Sequence, residues 1–96
     1  MFVIVVYDIN IKNKDDRKGQ KRLRNILKKC REYLYHVQNS VFEGEISEGE
    51  LKRFISEALA LIDKEEDSLL IYQSRTDKYF TRTQYGKEAG GIIGEK

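Results

Sequence analysis

Asp8 closes a nearly continuous apolar run, Phe2-Val-Ile-Val-Val-Tyr-Asp-Ile. A carboxylate at the end of a buried strand is well placed to face a cleft. It can equally accept hydrogen bonds from loop amides and do nothing more, and position alone leaves both open. The second group with chemical potential is basic. Arg17, Lys21, Arg24, Lys28 and Arg31 recur three or four residues apart, which puts them on one side of a helix. Lys18, Arg22 and Lys29 fall on the other flank. Like charges stacked at this spacing destabilise an isolated helix mildly, so an external anion is one explanation for them. Long basic side chains snorkelling over apolar surface are the other. Arg22 is grouped with the five residues of the stripe as a candidate phosphate contact.

The remaining reactive types exclude several chemistries. One His and one Cys cannot furnish a four-ligand zinc site within one chain. Cys30 falls on an apolar helical stripe with no activating neighbour, so it reads as a core residue, not a nucleophile. A lone cysteine also excludes an internal disulfide and fits a reducing compartment. His36 begins a strand-like stretch and reads as structural, although Lys29 and Arg31 nearby would suit a phosphate-binding surface. Asp63 to Asp67 lacks the glycine and ligand spacing of a calcium loop and reads as a solvated turn. No Gly-rich phosphate loop is present.

These residues must be carried by a small frame. Ninety-six residues make one domain with a modest core, which association would help to complete. The net charge of +2 conceals an uneven distribution. Residues 1–36 hold ten Lys or Arg against four acids, residues 37–72 three against nine, and residues 73–96 five against three. Such blocks are usually solvated faces, but they also suit a protein with a basic face for a polyanion. No apolar run is long enough for a membrane span or signal peptide, so a cytoplasmic protein is expected.

Phe2 to Ile9 predicts a strand buried on both faces. Asp15 or Asp16 can cap the helix that follows, whose buried stripe is Leu23, Ile26, Leu27, Cys30 and Leu34. Gly19, one turn before Leu23, either permits close packing or costs helix stability. Tyr33 to Ile46 is rich in aromatic and β-branched residues and favours strand. It reads as a hairpin turning near Gln38 to Ser40, or else as one strand kinked at Gly44; the hairpin is preferred. Ser47 and Glu50 form a capping box. Leu51, Phe54, Ile55, Ala58, Leu59 and Ile62 then give a second amphipathic helix, ending near Asp63. Ser68 to Gln73 is a further strand with Leu69, Leu70 and Ile71 buried, and Tyr79 to Tyr85 alternates as a last one. The fold class is therefore α+β, a ferredoxin-like β-α-β-β-α-β with an extra C-terminal strand. Residues 1–86 form the domain, and 87–96 form a flexible tail or a partner-docking segment in which Ile92 and Ile93 are the anchors. Both helices cover one sheet face, and a second copy is the economical cover for the other.

His-Val-Gln-Asn-Ser-Val-Phe-Glu-Gly-Glu at residues 36–45, after an apolar strand ending in Tyr7-Asp8, resembles the small CRISPR-associated protein of the spacer-integration complex. The resemblance runs in order over roughly residues 1–86. It implies a homodimer in which the last strand crosses to the partner's sheet. It implies metal-dependent hydrolysis of phosphodiesters in RNA or DNA, with Asp8 as the catalytic and metal-binding acid and one Mg²⁺ shared by the two copies of Asp8. Tyr7, Ser40, Phe42 and Arg17 match positions near that site, though Tyr7 and Phe42 can equally be interface packing. It also implies an architectural role: the dimer bridges CRISPR integrase subunits and holds duplex DNA across a basic surface. Two functional classes follow, a DNA-bridging adaptor subunit and a metal-dependent endonuclease acting on DNA or single-stranded RNA. An mRNA-cleaving toxin-like endoribonuclease of related fold and a ferredoxin-like regulatory module are the alternatives.

Overall fold

A computed structural model describes residues 1–75 and residue 83. The elements run β1 (Phe2–Asp8), α1 (Arg17–Tyr33), β2 (Tyr35–Gln38), β3 (Val41–Glu45), α2 (Glu48–Leu59) and β4 (Ser68–Ser74). The four strands form one sheet in the order β2-β3-β1-β4, and every neighbouring pair is antiparallel. This is the expected α+β, ferredoxin-like arrangement. The strand expected over Tyr79 to Tyr85 and the tail after it lie outside the described residues.

The central strand carries the two faces. Val3, Val5 and Tyr7 of β1 are buried and join Ile26, Cys30 and Leu34 of the α1 segment, Phe42 of β3, and Leu51, Phe54 and Ala58 of α2 in one core. Their alternates Phe2, Ile4 and Val6 are only half-buried, so β1 is not enclosed on both sides by the described residues. Both helices lie on one face, and an antiparallel sheet tolerates that one-sided cover.

β4 corrects an expectation for the same reason. Leu69 and Ile71 pack against the core, but Leu70 between them is 51% exposed. A consecutive apolar run in a strand covered on one side sends alternate residues outward. Leu70 sits opposite Val6, and Tyr72, 53% exposed, sits opposite Ile4. Val41 faces Val6 from β3. The helix-free face thus carries a contiguous apolar and aromatic patch.

Local chemistry sets the element ends. Asp16 caps α1 by accepting from the Gly19 amide at 3.0 Å and also takes the Lys12 amide at 3.1 Å. Gly19 is required there, because an added Cβ would stand 2.6 Å from Asp16 Oδ2 and 3.1 Å from the Asn10 carbonyl. Residues 35–45 form a hairpin turning at Asn39 and Ser40, where Asn39 adopts φ 41°, a conformation Asn tolerates well. Gly44 marks no kink. It lies in mid-strand where a Cβ would meet Leu34 at 3.1 Å, so its place follows from the close approach of the α1 C-terminus. The irregularity lies in β2, between His36 and Gln38. The Ser47–Glu50 capping box starts α2 as expected, but the helix stops at Leu59, before the Asp63 boundary read from the pattern.

Candidate nucleic-acid interface and carboxylate site

The helix α1 separates its cations by flank. Arg17, Lys21, Arg24, Lys28 and Arg31 are all exposed, and no ion pair engages them among the described residues. On the other flank Lys18 is likewise exposed, but Lys29 and Arg22 are engaged. Lys29 Nζ pairs with Glu32 at 3.0 Å and with Glu57 of α2 at 3.2 Å. Arg22 Nε pairs with Asp67 at 2.8 Å, and its Nη2 donates to the Asn10 carbonyl at 3.1 Å. Of the six residues expected to meet phosphate, five keep their guanidinium or ammonium groups on the solvent face. Arg22 is engaged in the fold.

Tyr7, Phe42 and His36 form an aromatic row beneath the helices. The Tyr7 and Phe42 rings lie 6.1 Å apart, and His36 stacks on Phe42 at 4.4 Å with an angle of 9° between rings. His36 Nε2 donates to the Asn39 carbonyl at 2.6 Å, which ties the ring to the hairpin turn. The Ser40 carbonyl accepts from the Tyr7 amide at 3.2 Å, so the turn also abuts the end of β1. Burial is the main influence raising the Tyr7 hydroxyl above its ordinary pKa; Cys30 adds to it and Arg31 opposes it. The row is thus a packed structural cluster that fixes the end of β1. Cys30 below it is fully buried, and burial pushes its thiol up to about 12, which fits a core residue.

Asp8 follows Tyr7 and, by strand alternation, sits on the opposite, helix-free face, directly across from Ser68. It is exposed, and its carboxylate has no hydrogen bond or ion pair among the described residues. Asp8 therefore does not cap loop amides. Asp67 does. Its side chain is fully buried and accepts from the amides of Asn10 at 2.9 Å and Asp63 at 2.8 Å as well as from Arg22. The Asp63–Asp67 segment is thus more than a solvated turn, and Asp67 was not identified from sequence. Its one sequence signal is an acid immediately before a strand, and apart from the Asp63 amide four residues back its partners lie 45 and 57 residues away.

No group of three or more His, Cys, Asp or Glu suited to a metal occurs among the described residues. The exposed, unpaired Asp8 is nevertheless the right donor type for a hard cation, provided further ligands come from water, substrate or a second copy. The donor type therefore suits a divalent ion whose other ligands come from elsewhere, and the described residues do not make a complete one-chain metal centre. Among the described residues, no helix is long and apolar enough to cross a membrane.

The sequence model of the family CRISPR associated protein Cas2 matches residues 1–83. A CRISPR-associated endoribonuclease Cas2 of Thermotoga maritima is 42% identical over 90 residues, covering 94% of this chain and 93% of its own. One of Fusobacterium nucleatum is 41% identical over 86 residues, covering 90% of this chain and 77% of its own. Among solved structures, Streptococcus pyogenes Cas2 at pH 6.5 matches with a TM-score of 0.72 and 32% identity, over 88% of this chain and all of that one.

Proposed function

We propose a function from the premise that this chain belongs to the CRISPR-associated Cas2 family. It is a homodimeric subunit of CRISPR adaptation that holds duplex DNA on the solvent face of α1 and bridges integrase subunits. It is also a metal-dependent endonuclease whose acid is Asp8. The observation that carries the reading is the division of charge across the sheet. Five cations with no ion pair among the described residues occupy the outer side of α1, while Asp8 stands on the sheet face that the helices leave open. A duplex seated on α1 is thereby kept apart from the same chain's carboxylate, which favours holding DNA over cutting it.

The catalytic reading rests on the exposed Asp8, which has no side-chain partner among the described residues, and on relatives named as endoribonucleases. Two copies of Asp8 brought together by the open faces would hold one Mg²⁺. When bound, that ion polarises a phosphate oxygen and lowers the pKa of its water. The protein's own contribution is the aromatic row of Tyr7, Phe42 and His36, which fixes the strand end from which Asp8 projects.

Asp8→Asn tests the division. The variant keeps size and removes charge at a side chain with no hydrogen bond among the described residues. Mg²⁺-dependent RNA cleavage is expected to fall by orders of magnitude while duplex affinity and dimerisation persist. Unchanged cleavage by the purified variant would assign the activity elsewhere.

A further inference from the structure

Asp67 and Arg22 tie together three segments that meet behind Asp8. Asp67 Oδ1 accepts from the Asn10 amide at 2.9 Å, two residues after Asp8. Arg22 Nη2 donates to the carbonyl of that same Asn10 at 3.1 Å, so both backbone groups of one residue are clamped. Asn10 Nδ2 adds a bond to Glu66 Oε1 at 2.6 Å. On the other side, Asp67 directly precedes Ser68, which pairs with Asp8 across the β1–β4 ladder. The Asp67 carboxylate also takes the Asp63 amide at 2.8 Å, which closes the turn leading into β4. Asp8 is therefore flanked on both strands by backbone that the Arg22–Asp67 pair anchors, although neither side chain lies on its face of the sheet.

We propose that Asp67, held by Arg22, is the positioning residue for Asp8. The pair fixes the Asn10 backbone and the start of β4 so that the carboxylate is presented to a divalent cation in one orientation. The inference rests on Asp8 being the metal-binding acid. A strand's last residue is ordinarily prone to fray, and a ligand that must meet its counterpart from a second copy tolerates little freedom. A buried, charge-assisted clamp two residues beyond supplies that restraint, because charged hydrogen bonds are shorter and stronger than neutral ones.

The experiment measures Mn²⁺ affinity calorimetrically on the intact protein and compares Asp67→Asn and Arg22→Lys with Asp8→Asn. Ile26→Val serves as a core control: its residue is fully buried one helical turn beyond Arg22 and makes none of the clamp's hydrogen bonds. Asp67→Asn keeps the shape but loses the charge that binds Arg22. Arg22→Lys keeps the charge but loses the fork that reaches Asp67 and Asn10 together. Both are expected to weaken Mn²⁺ binding at least tenfold and to speed amide exchange at residues 9–12, with duplex affinity unchanged. Ile26→Val is expected to lower the melting temperature and leave Mn²⁺ affinity alone. If either clamp variant binds Mn²⁺ as the parent does while Asp8→Asn does not bind, the positioning role is overturned and the reading of Asp8 stands. If the core control weakens Mn²⁺ as much as the clamp variants do, the clamp is merely structural. If Asp8→Asn binds Mn²⁺ like the parent, the reading of Asp8 and the positioning role fall together.

Discussion

At the scale of single residues, protonation is where the fold is most exposed to its surroundings. Burial pushes the Asp67 carboxyl up, but the Arg22 guanidinium and the amides of Asp63 and Asn10 outweigh it and hold the group below its ordinary 3.8. The amides of Gly19 and Lys12 do the same for Asp16. The Ser47 amide and hydroxyl lower Glu50, and the Tyr33 hydroxyl and Lys29 lower Glu57, each from an ordinary 4.5. A carboxyl depressed by folding adds stability that is present above its unfolded value and is lost as pH falls through its folded value. The thermal midpoint is therefore expected to decline as pH drops below about 4.5, and more steeply below 3.8 as the aspartates protonate. Asp67→Asn should start lower at neutral pH and decline less in acid. A variant profile running parallel to the parent's throughout would show that Asp67 carries none of this dependence. Asp67 is also where the sequence is silent. An acid at the end of an acidic turn has no local signature of burial, because beside the nearby Asp63 amide its satisfying donors come from a loop and a helix far upstream.

At the scale of elements, sequence pattern is informative wherever the determining contacts are local. The stripe of α1 needs only its own periodicity, and Ile26, Cys30 and Leu34 are buried as read, with Leu23 and Leu27 packed beside them. The α2 cap needs only Ser47 and Glu50, whose reciprocal bonds measure 3.1 and 2.9 Å. Leu70 and Gly44 depart from expectation because their surroundings are set by neighbours in space. The first lies opposite Val6 on the uncovered face, and the second beneath Leu34. Among candidate site residues, the split within α1 is legible as two flanks, yet only the fold distinguishes Arg22, engaged by Asp67, from Arg17, Lys21 and Arg24. That difference is measurable. Charge reversal at Arg17, Lys21 and Arg24 should weaken binding to all duplex sequences alike. It should also flatten the slope of log affinity against log salt by roughly 0.9 for each phosphate no longer neutralised. Arg22→Gln should instead cost stability with little change in slope. An unchanged slope in the triple variant would reduce the stripe to a solvated face.

At the scale of the whole molecule, the helix-free face is the surface that the proposed pairing would cover. Ile4, Val6, Val41, Leu70 and Tyr72 lie together by strand register, and Tyr35, 48% exposed, faces Glu43 at the sheet's β2 side. Contiguous apolar surface of this kind marks an interaction site in a soluble protein, and a domain this small gains much from covering it. A second copy is the occupant that also brings two Asp8 carboxylates onto facing surfaces. Sedimentation at micromolar concentration is expected to show two chains. Leu70→Lys should separate them without unfolding either, since half of that side chain already meets solvent in the single chain. Covering the remaining area is worth about 1–2 kcal/mol per copy, so the symmetric pair of substitutions should weaken the dimer by roughly 10²-fold, with helix content unchanged. Mn²⁺ affinity should fall with dimerisation in this variant even though Asp8, Asp67 and Arg22 are intact. A parent protein that stays monomeric at high concentration would remove the second copy and, with it, the shared ion. A Leu70→Lys monomer that keeps full Mn²⁺ affinity would show instead that one Asp8 holds the ion alone.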